Sequence, residues 1–201
     1  RVDDAIIAYH PDWPVLSHLD STIYLNNAGV YSDRGNARVL ESDVSNVRVS
    51  IPIPYSGVAE TVSVIADVRG PLVDGIKVLN DTPIAEQISN VARNWSGTGG
   101  ITGRLKLDIP WGDTDREVSS DVHVTLNNND IQFPEYDLEV ANLEGTIRYE
   151  NSSGLTSEQY TGVLFRQEVS GFIGSELSRD SGEIIINVIG EVDASDIYSW
   201  S

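Results

Sequence analysis

The clearest hydrophobic pattern in the chain lies between residues 101 and 150. In two segments of this region, each apolar residue is followed by a polar one. Because successive side chains of a strand point to opposite faces, each segment has one apolar and one polar face. This pattern is typical of half-buried antiparallel strands. The apolar positions are Leu105, Leu107, Ile109, Val122, Val124 and Leu126.

Similar alternation occurs on both sides of this region, and it predicts a mainly β protein built on an antiparallel sheet. We expect the apolar faces to lie along one side of that sheet. The residues alone leave two interpretations open: a core sealed as in a closed sandwich, or an apolar wall that is open to a ligand. The residues predicted on this face are Ile23, Leu25, Val47, Val49, Ile51, Val62, Val64, Val68, Leu105, Leu107, Ile109, Val122, Val124, Leu126, Ile147, Ile184, Ile186 and Val188.

One amphipathic helix is predicted, over residues 83–95. Thr82 can cap its N-terminus, and Pro83 stands at the first helical position, where a missing N–H costs nothing. A second helix could begin at Ala194, near the end of the chain. In the first helix, apolar residues recur at helical spacing and form one face. They are Ile84, Ile88, Val91, Ala92 and Trp95.

Two parts of the chain resemble each other. Residues 22–30 read TIYLNNAGV and residues 123–131 read HVTLNNNDI, with a shared Leu-Asn-Asn step. Later segments also correspond, although chance likeness between β-hairpins is the alternative. We therefore predict two β repeats, over residues 1–98 and 99–201, of which the first ends in the helix. Repeats that stack bury a continuous surface.

The composition excludes several classes of function. The 201 residues include no cysteine, so a disulfide framework and a thiolate nucleophile are both excluded. The formal net charge of −18 comes from 31 acidic and 13 basic residues, and such a surface repels nucleic acid. No apolar run reaches the ~20 residues that a membrane-spanning helix needs. The chain starts without methionine or a signal peptide, so we expect a mature or excised piece of a longer protein.

No set of residues indicates catalysis. The histidines, His10, His18 and His123, lie on unrelated segments without the spacing of metal ligands. The glycine-rich segment at residues 97–103 follows a helix and enters a strand, the reverse of the order that phosphate loops need. We therefore interpret this segment as a linker, and we predict no enzyme activity and no metal site.

An ordered set of short motifs is more specific, and it extends over nearly the whole chain. The motifs resemble the YhdP family of AsmA-like proteins from Gram-negative bacteria, which are related to TamB. One departure is Arg166, where the resemblance leads us to expect a small residue. In chain order the motifs are W-P-x-L-x-x-L-D from Trp13, an Asn-x-Gly hairpin from Asn27, V-x-G-P from Val68, T-P-I from Thr82, I-T-G-R-L-K-L-D-I-P from Ile101, N-x-x-G-x-x-x-Y-E from Asn142 and L-F-R-Q-x-V from Leu164.

The resemblance implies a curved antiparallel sheet that forms a repeating β-groove, like a half-open barrel. Such proteins are anchored in the inner membrane by a helix, which would lie outside this segment. They cross the periplasm and carry phospholipids toward the outer membrane, which supports its barrier function, and they use no cofactor. The implied partners are phospholipid acyl chains and adjacent groove repeats of the same chain. The alternative is a β-sandwich interaction or carbohydrate-binding module with a sealed core.

Overall fold

The computed structural model describes residues 1–8, 11–53, 60–88, 90–110, 116–177 and 182–200. Strands dominate these residues, as the alternation predicts, and the mainly β fold class is confirmed. The strands are β1 (Val2–Ile7), β2 (Leu16–Asn26), β3 (Gly29–Val39), β4 (Ser42–Pro52), β5 (Thr61–Pro71), β6 (Ser96–Thr98), β7 (Gly100–Pro110), β8 (Ser119–Phe133), β9 (Leu138–Glu150), β10 (Gly154–Ser157), β11 (Tyr160–Leu164), β12 (Gln167–Leu177) and β13 (Gly182–Gly190).

The strands form one antiparallel sheet of 13 strands. Hydrogen-bonded neighbours follow the order β1-β2-β3-β4-β5-β7-β8-β9-β11-β12-β13, while β6 pairs with β8 and β10 pairs with β9. Most strands therefore pair with the strand that precedes them in sequence. Within the described ranges, β1 and β13 end this order without pairing to each other, so the sheet is open. The single open sheet also differs from the two facing sheets of the sandwich alternative.

The predicted helix over residues 83–95 is wrong in its extent. Helix α2 covers only Ile84–Gln87, and the chain then continues through turns. Asn90 adopts the left-handed conformation, with φ of 55°, which a helix interior does not accept. The amides of Val91 and Trp95 donate to the carbonyls three residues before them, as turns do. The apolar spacing misled the prediction because these turns also bury one side, with Ala92 fully buried.

A longer helix, α1 (Leu72–Asp81), precedes α2 and was not expected from the pattern. Its sequence contains Gly75 and several β-branched residues, which lower the intrinsic helix propensity. Thr82, predicted to cap the following helix, also ends this one. Its hydroxyl donates to the carbonyl of Val78 at 2.8 Å and accepts from the amide of Ile84 at 3.3 Å. The helix expected from Ala194 is present as α3 (Ala194–Trp200).

The chain divides into two compact units, each with its own apolar core. Unit 1 comprises residues 1–70 and 102–122, and unit 2 comprises residues 71–101 and 123–201. These units are defined by contacts, whereas the repeats over 1–98 and 99–201 are defined by sequence likeness and stay a prediction. The core of unit 1 contains Leu19, Ala37, Val44, Val47 and Ala66. The core of unit 2 contains Leu72, Ile76, Ile101, Leu126, Ile131, Leu143 and Tyr160.

Asparagines in the left-handed conformation interrupt several strands. Asn46, Asn128 and Asn142 have φ values of 53°, 57° and 51° and lie within β4, β8 and β9. At Asn46 the pairing of β4 with β5 shifts its register. Such a bulge adds one residue to the strand and bends it. Because the added residue breaks the two-residue period, apolar side chains before and after it reach the same face from positions of opposite parity.

Candidate functional site

The pairing of strands β2 to β5 in unit 1 places the predicted residues in two rows across the sheet. In the first row, Leu25 pairs with Val30 and Val30 pairs with Ile51. In the second row, Ile23 pairs with Ser32 and Val49 pairs with Val64. Directly paired residues of an antiparallel sheet share one face. Each row therefore presents side chains of neighbouring strands to the same side.

The apolar face of unit 1 is sealed at one end and exposed at the other. In the core, Val47 is 2% exposed and packs with Ala66. Two residues further along β4 the face begins to open, and on β2 the side chain of Ile23 is 48% exposed and that of Leu25 is 76% exposed. An isolated exposed leucine is ordinary, but a row of exposed and half-buried aliphatic residues next to a core is a candidate binding surface.

All the predicted residues of the apolar face, taken together, divide in the same way by exposure. Four are buried: Val47, Leu107, Ile109 and Leu126. Ten are half-buried: Val49, Ile51, Val62, Val64, Val68, Leu105, Val122, Val124, Ile147 and Ile184. Four are exposed: Ile23, Leu25, Ile186 and Val188.

In unit 2 the predicted residues of β8 and β9 share an apolar cluster with helix α1. Leu126, which is 3% exposed, lies in one cluster with Leu72 and Ile76 of the helix. The half-buried side chains of Val124 and Ile147 pack against that cluster. At this cluster, the apolar face of unit 2 is therefore packed with other residues of the same chain, among them Leu72 and Ile76.

Strand β13 does not follow the simple alternation, because it exposes apolar residues on both faces. Ile186 pairs with Ile173 of β12, and Ile173 packs against the core of unit 2. Ile185 and Ile189, of the opposite parity, are also exposed. Of the predicted residues on β13, Ile184 is half-buried, while Ile186 and Val188 are exposed.

Sequence reasoning missed several residues of the apolar face. Leu143 is a buried core residue that was missed although it shares the parity of Ile147. Val44 and Ile131 are buried core residues too, and each of these two has the parity opposite to that of the predicted residues on its strand. In both of these strands a left-handed asparagine lies between the two sets. An asparagine inside an otherwise regular strand is the signal that could have found these two residues, since asparagine tolerates this conformation better than most residues.

The opposite face of unit 1 carries a network of charged and polar side chains. Asn46 and Arg104 both donate to the carboxylate of Asp67, at 2.8 and 3.0 Å. These hydrogen bonds, from Asn46 first and then Arg104, hold the pKa of Asp67 below its ordinary range. Nearby, Ser63 donates to Asp108, whose carboxylate is also 3.3 Å from Nζ of Lys106. The sheet of unit 1 therefore separates a polar face from an apolar one.

The remaining candidate chemistry is accounted for by local structure. His18 lies 2.7 Å from the carboxylate of Asp4, His123 is exposed on β8, and His10 lies outside the described residues. Residues 97–103 are not a linker, since they belong to β6 and β7 and turn at Gly99, with φ of 98°. No group of His, Asp or Glu in the described parts of the chain has the arrangement of a metal site. None of the described helices has the length and apolar character required to cross a bilayer.

Comparison with known proteins decides the family. A family model described as YhdP protein matches residues 1–201. The chain belongs to the YhdP family. One YhdP relative, the intermembrane phospholipid transporter YhdP of Escherichia coli (strain K12), is 27% identical over 187 residues. That match covers 93% of the chain but only 14% of the relative, so the chain spans a small part of the length of that YhdP protein. No solved structure matches the chain.

Proposed function

We propose that this chain is a non-enzymatic segment of a lipid-transfer protein, and that its apolar face shields phospholipid acyl chains from water. The observation that carries the proposal is the apolar row at the open end of unit 1, where the exposed Leu25 lies beside the half-buried Val30 and Ile51. It is supported by membership of the family that contains the phospholipid transporter of Escherichia coli.

The energetics of lipid transfer favour a surface of this kind. Burial of one methylene group contributes about 0.8 kcal/mol, so two acyl chains of ~15 carbons expose roughly 25 kcal/mol of unfavourable contact with water. A small polar pocket cannot offset this cost, whereas a long aliphatic surface can. An aliphatic wall makes few directional contacts, so we expect weak discrimination between acyl chains.

The spacing of side chains favours an acyl chain that crosses the strands. Neighbouring strands lie ~4.8 Å apart, whereas side chains on one face of a single strand are separated by ~6.7 Å. The row from Leu25 through Val30 to Ile51 is therefore the densest line of aliphatic groups on this face. An acyl chain along that line also runs in the direction in which further strands extend the apolar surface.

The setting of the segment is part of the same proposal. The relative is named an intermembrane transporter, which supports a periplasmic location for the segment. We propose an inner-membrane anchor elsewhere in the parent protein. Adjacent groove repeats of the same chain are the partners that continue the apolar surface, and residues 1–98 and 99–201 are two such repeats. Delivery of phospholipid to the outer membrane by the whole protein supports the barrier function of that membrane.

Site-specific photocrosslinking tests the proposal. A photoreactive amino acid at position 25 is placed on the open apolar face, and the same residue at position 24 is the matched control. Tyr24 is the neighbour of Leu25 on β2, and it pairs with Tyr31 on the opposite face of the sheet. Both side chains are exposed, so only the face differs. After irradiation in cells, bound lipid is identified by mass spectrometry.

We expect covalently attached phospholipid at position 25 and little at position 24. Absence of lipid from position 25 would contradict the proposal. Equal labelling at the two positions would also contradict it, because it would show contact with membrane or detergent without selection of one face.

A further inference from the structure

Resting on the proposed function, we propose that helix α1 is a displaceable lid over the apolar face of unit 2, and that acyl chains and this helix compete for the same surface. The site in unit 1 needs no such movement, because Leu25 in its outer row is already exposed. The two units would then differ: one accepts an acyl chain directly, and the other accepts it when α1 leaves.

The helix and the candidate site meet in one apolar cluster. Leu72 and Ile76, one helical turn apart, enter the same cluster as Leu126, a residue of the predicted apolar face. Val124 and Ile147, two further residues of that face, pack against the cluster from the sheet. An acyl chain that enters this cluster would therefore compete with Leu72 and Ile76 for a place in it.

Two of the three buried residues of the helix, Leu72 and Ile76, offer the cluster the aliphatic chemistry of a lipid tail, and the third is Asp74. The buried contacts of the helix to the cluster are made by branched aliphatic side chains. Exchange of these side chains for methylene groups keeps the surface of the sheet apolar and dry. The exchange therefore replaces one set of aliphatic contacts with another, which is the condition for close competition between two states.

The helix is held by packing rather than by its own sequence. Its N-terminus has no side-chain cap, its last turn has no basic residue, and Gly75 lies in its interior. Its ten residues are also fewer than an isolated helix needs in water. Opening of α1 therefore requires loss of its apolar packing together with two hydrogen bonds, from the amide of Leu72 to the carbonyl of Gly99 and from Nδ2 of Asn80 to the carbonyl of Ala92. Once these are lost, the segment can open as a local unit.

Hydrogen exchange on the whole chain tests for the movement. The probe is a vesicle of phosphatidylethanolamine and phosphatidylglycerol, and the readout is the exchange of amides in α1. We expect these amides to exchange about tenfold faster with the vesicles than without them. Amides next to Val47, in the closed core of unit 1, are the internal control and should not change. Unchanged or slower exchange in α1 would overturn the lid.

A locked helix provides the second measurement. Gly75 faces Ile101 so closely that a Cβ atom added at Gly75 would lie 3.2 Å from Cδ1 of the isoleucine. Because the chain has no cysteine, the double variant Gly75→Cys, Ile101→Cys contains the only two thiols, and a short bifunctional thiol reagent can join them. The same variant without the reagent is the matched control, and circular dichroism checks its fold.

Photoreactive residues at positions 25 and 124 then report on the two units separately. We expect the cross-link to lower lipid attachment at position 124 about tenfold and to leave attachment at position 25 unchanged. Equal attachment at position 124 with and without the cross-link would overturn the lid while the proposed function stands. Loss of attachment at position 25 in the unmodified chain would overturn the proposed function, and the lid with it.

Discussion

Asn46 donates a hydrogen bond from Nδ2 to Oδ2 of Asp67 over 2.8 Å, on the polar face of unit 1. The same asparagine has the left-handed conformation that bends β4. Arg104 of β7 donates to the other oxygen of the carboxylate at 3.0 Å. Asn46, which changes the alternation of β4, is thus hydrogen-bonded to Asp67 of β5. The same carboxylate accepts a hydrogen bond from Arg104 of β7.

The pKa of Asp67 should respond to loss of this hydrogen bond. We expect it to lie below the ordinary aspartate value of about 3.9 in the folded chain and to rise in Asn46→Ala, because the bond to Asn46 is the largest cause of its depression. NMR titration of the carboxyl carbon measures both values. Asn94→Ala, in an exposed turn of unit 2, is the control.

The sign of the pH dependence follows from the depressed pKa. Since the folded value is below the unfolded one, the carboxylate stabilises the fold at any pH above the unfolded value. That contribution is lost as pH falls from about 4 through the folded pKa. Acid denaturation of Asn46→Ala should therefore depend less on pH in this window than that of the original chain. An equal dependence would show that the bond is not formed in solution.

Loss of the buried amide of Asn129 should be costly. The side chain is 0% exposed and its Nδ2 donates to the carbonyls of Thr98 and Gly100, while its Oδ1 accepts from the amide of Asn127. Each net hydrogen bond contributes about 1 kcal/mol, so we expect Asn129→Ala to lower the free energy of unfolding by about 3 kcal/mol. Urea denaturation measures the change. Asn127→Ala removes only an exposed side chain and should change stability little.

Stability and lipid binding should separate along the apolar face of unit 1. We expect Val47→Ala to lower the free energy of unfolding by about 2 kcal/mol, since it leaves a cavity in a closed core. Leu25→Ala should cost less than about 0.5 kcal/mol, because the side chain is exposed, and yet it should weaken lipid attachment. Urea denaturation and lipid recovery check the two effects. Equal destabilisation by the two variants would show that Leu25 is buried in solution.

Helix α3 should be released when its tryptophan is removed. The ring of Trp200 lies 6.3 Å from that of Phe165, and its indole N–H donates to the carbonyl of Tyr136. We expect Trp200→Ala to cost about 1–2 kcal/mol locally and to speed hydrogen exchange across α3. Ile197→Ala, on the same helix and exposed, is the control. Similar exchange in both variants would contradict the anchoring role.

Arg166 contributes to the same anchoring, although the resemblance to the family led us to expect a small residue there. It lies with Phe165 in the turn between β11 and β12, where both residues have positive φ, of 66° and 48°. Its guanidinium donates to Asp196 of α3 at 2.7 Å. Because the arginine is exposed, Arg166→Ala should cost at most about 1 kcal/mol, measured by the same exchange experiment.

The sequence predicted the strands well because their signal is local. Neighbouring residues predict both the turn between Asn26 and Gly29 and the long alternation of β7. In the structure, β2 and β3 flank that turn, and β7 follows the alternation. The helices were harder to predict. Helix α1 depends on the cluster that contains Leu126, a contact between residues far apart in the chain, while its own propensity is low.

The sequence predicted an apolar face, but it did not predict which parts of that face are buried and which are exposed. Leu25 and Leu126 stand in the same Leu-Asn-Asn step and alternate in the same way with their neighbours. The first is exposed, whereas the second is buried in a cluster that includes two residues of helix α1. Alternation records which residues share a side of the strand. What lies over that side is decided by elements from other parts of the chain.

Asn46 also determines which changes in length β4 can accept. Replacement by glycine keeps the left-handed backbone and the strand intact. Deletion of Asn46 would join Ser45 directly to Val47. The side chains in the N-terminal half of β4 would then move to the opposite faces of the sheet, so that Val44 would face water. Family members that lack a residue at this position therefore need an opposite hydrophobic order in the residues before it, and an alignment of the family should show the two changes together.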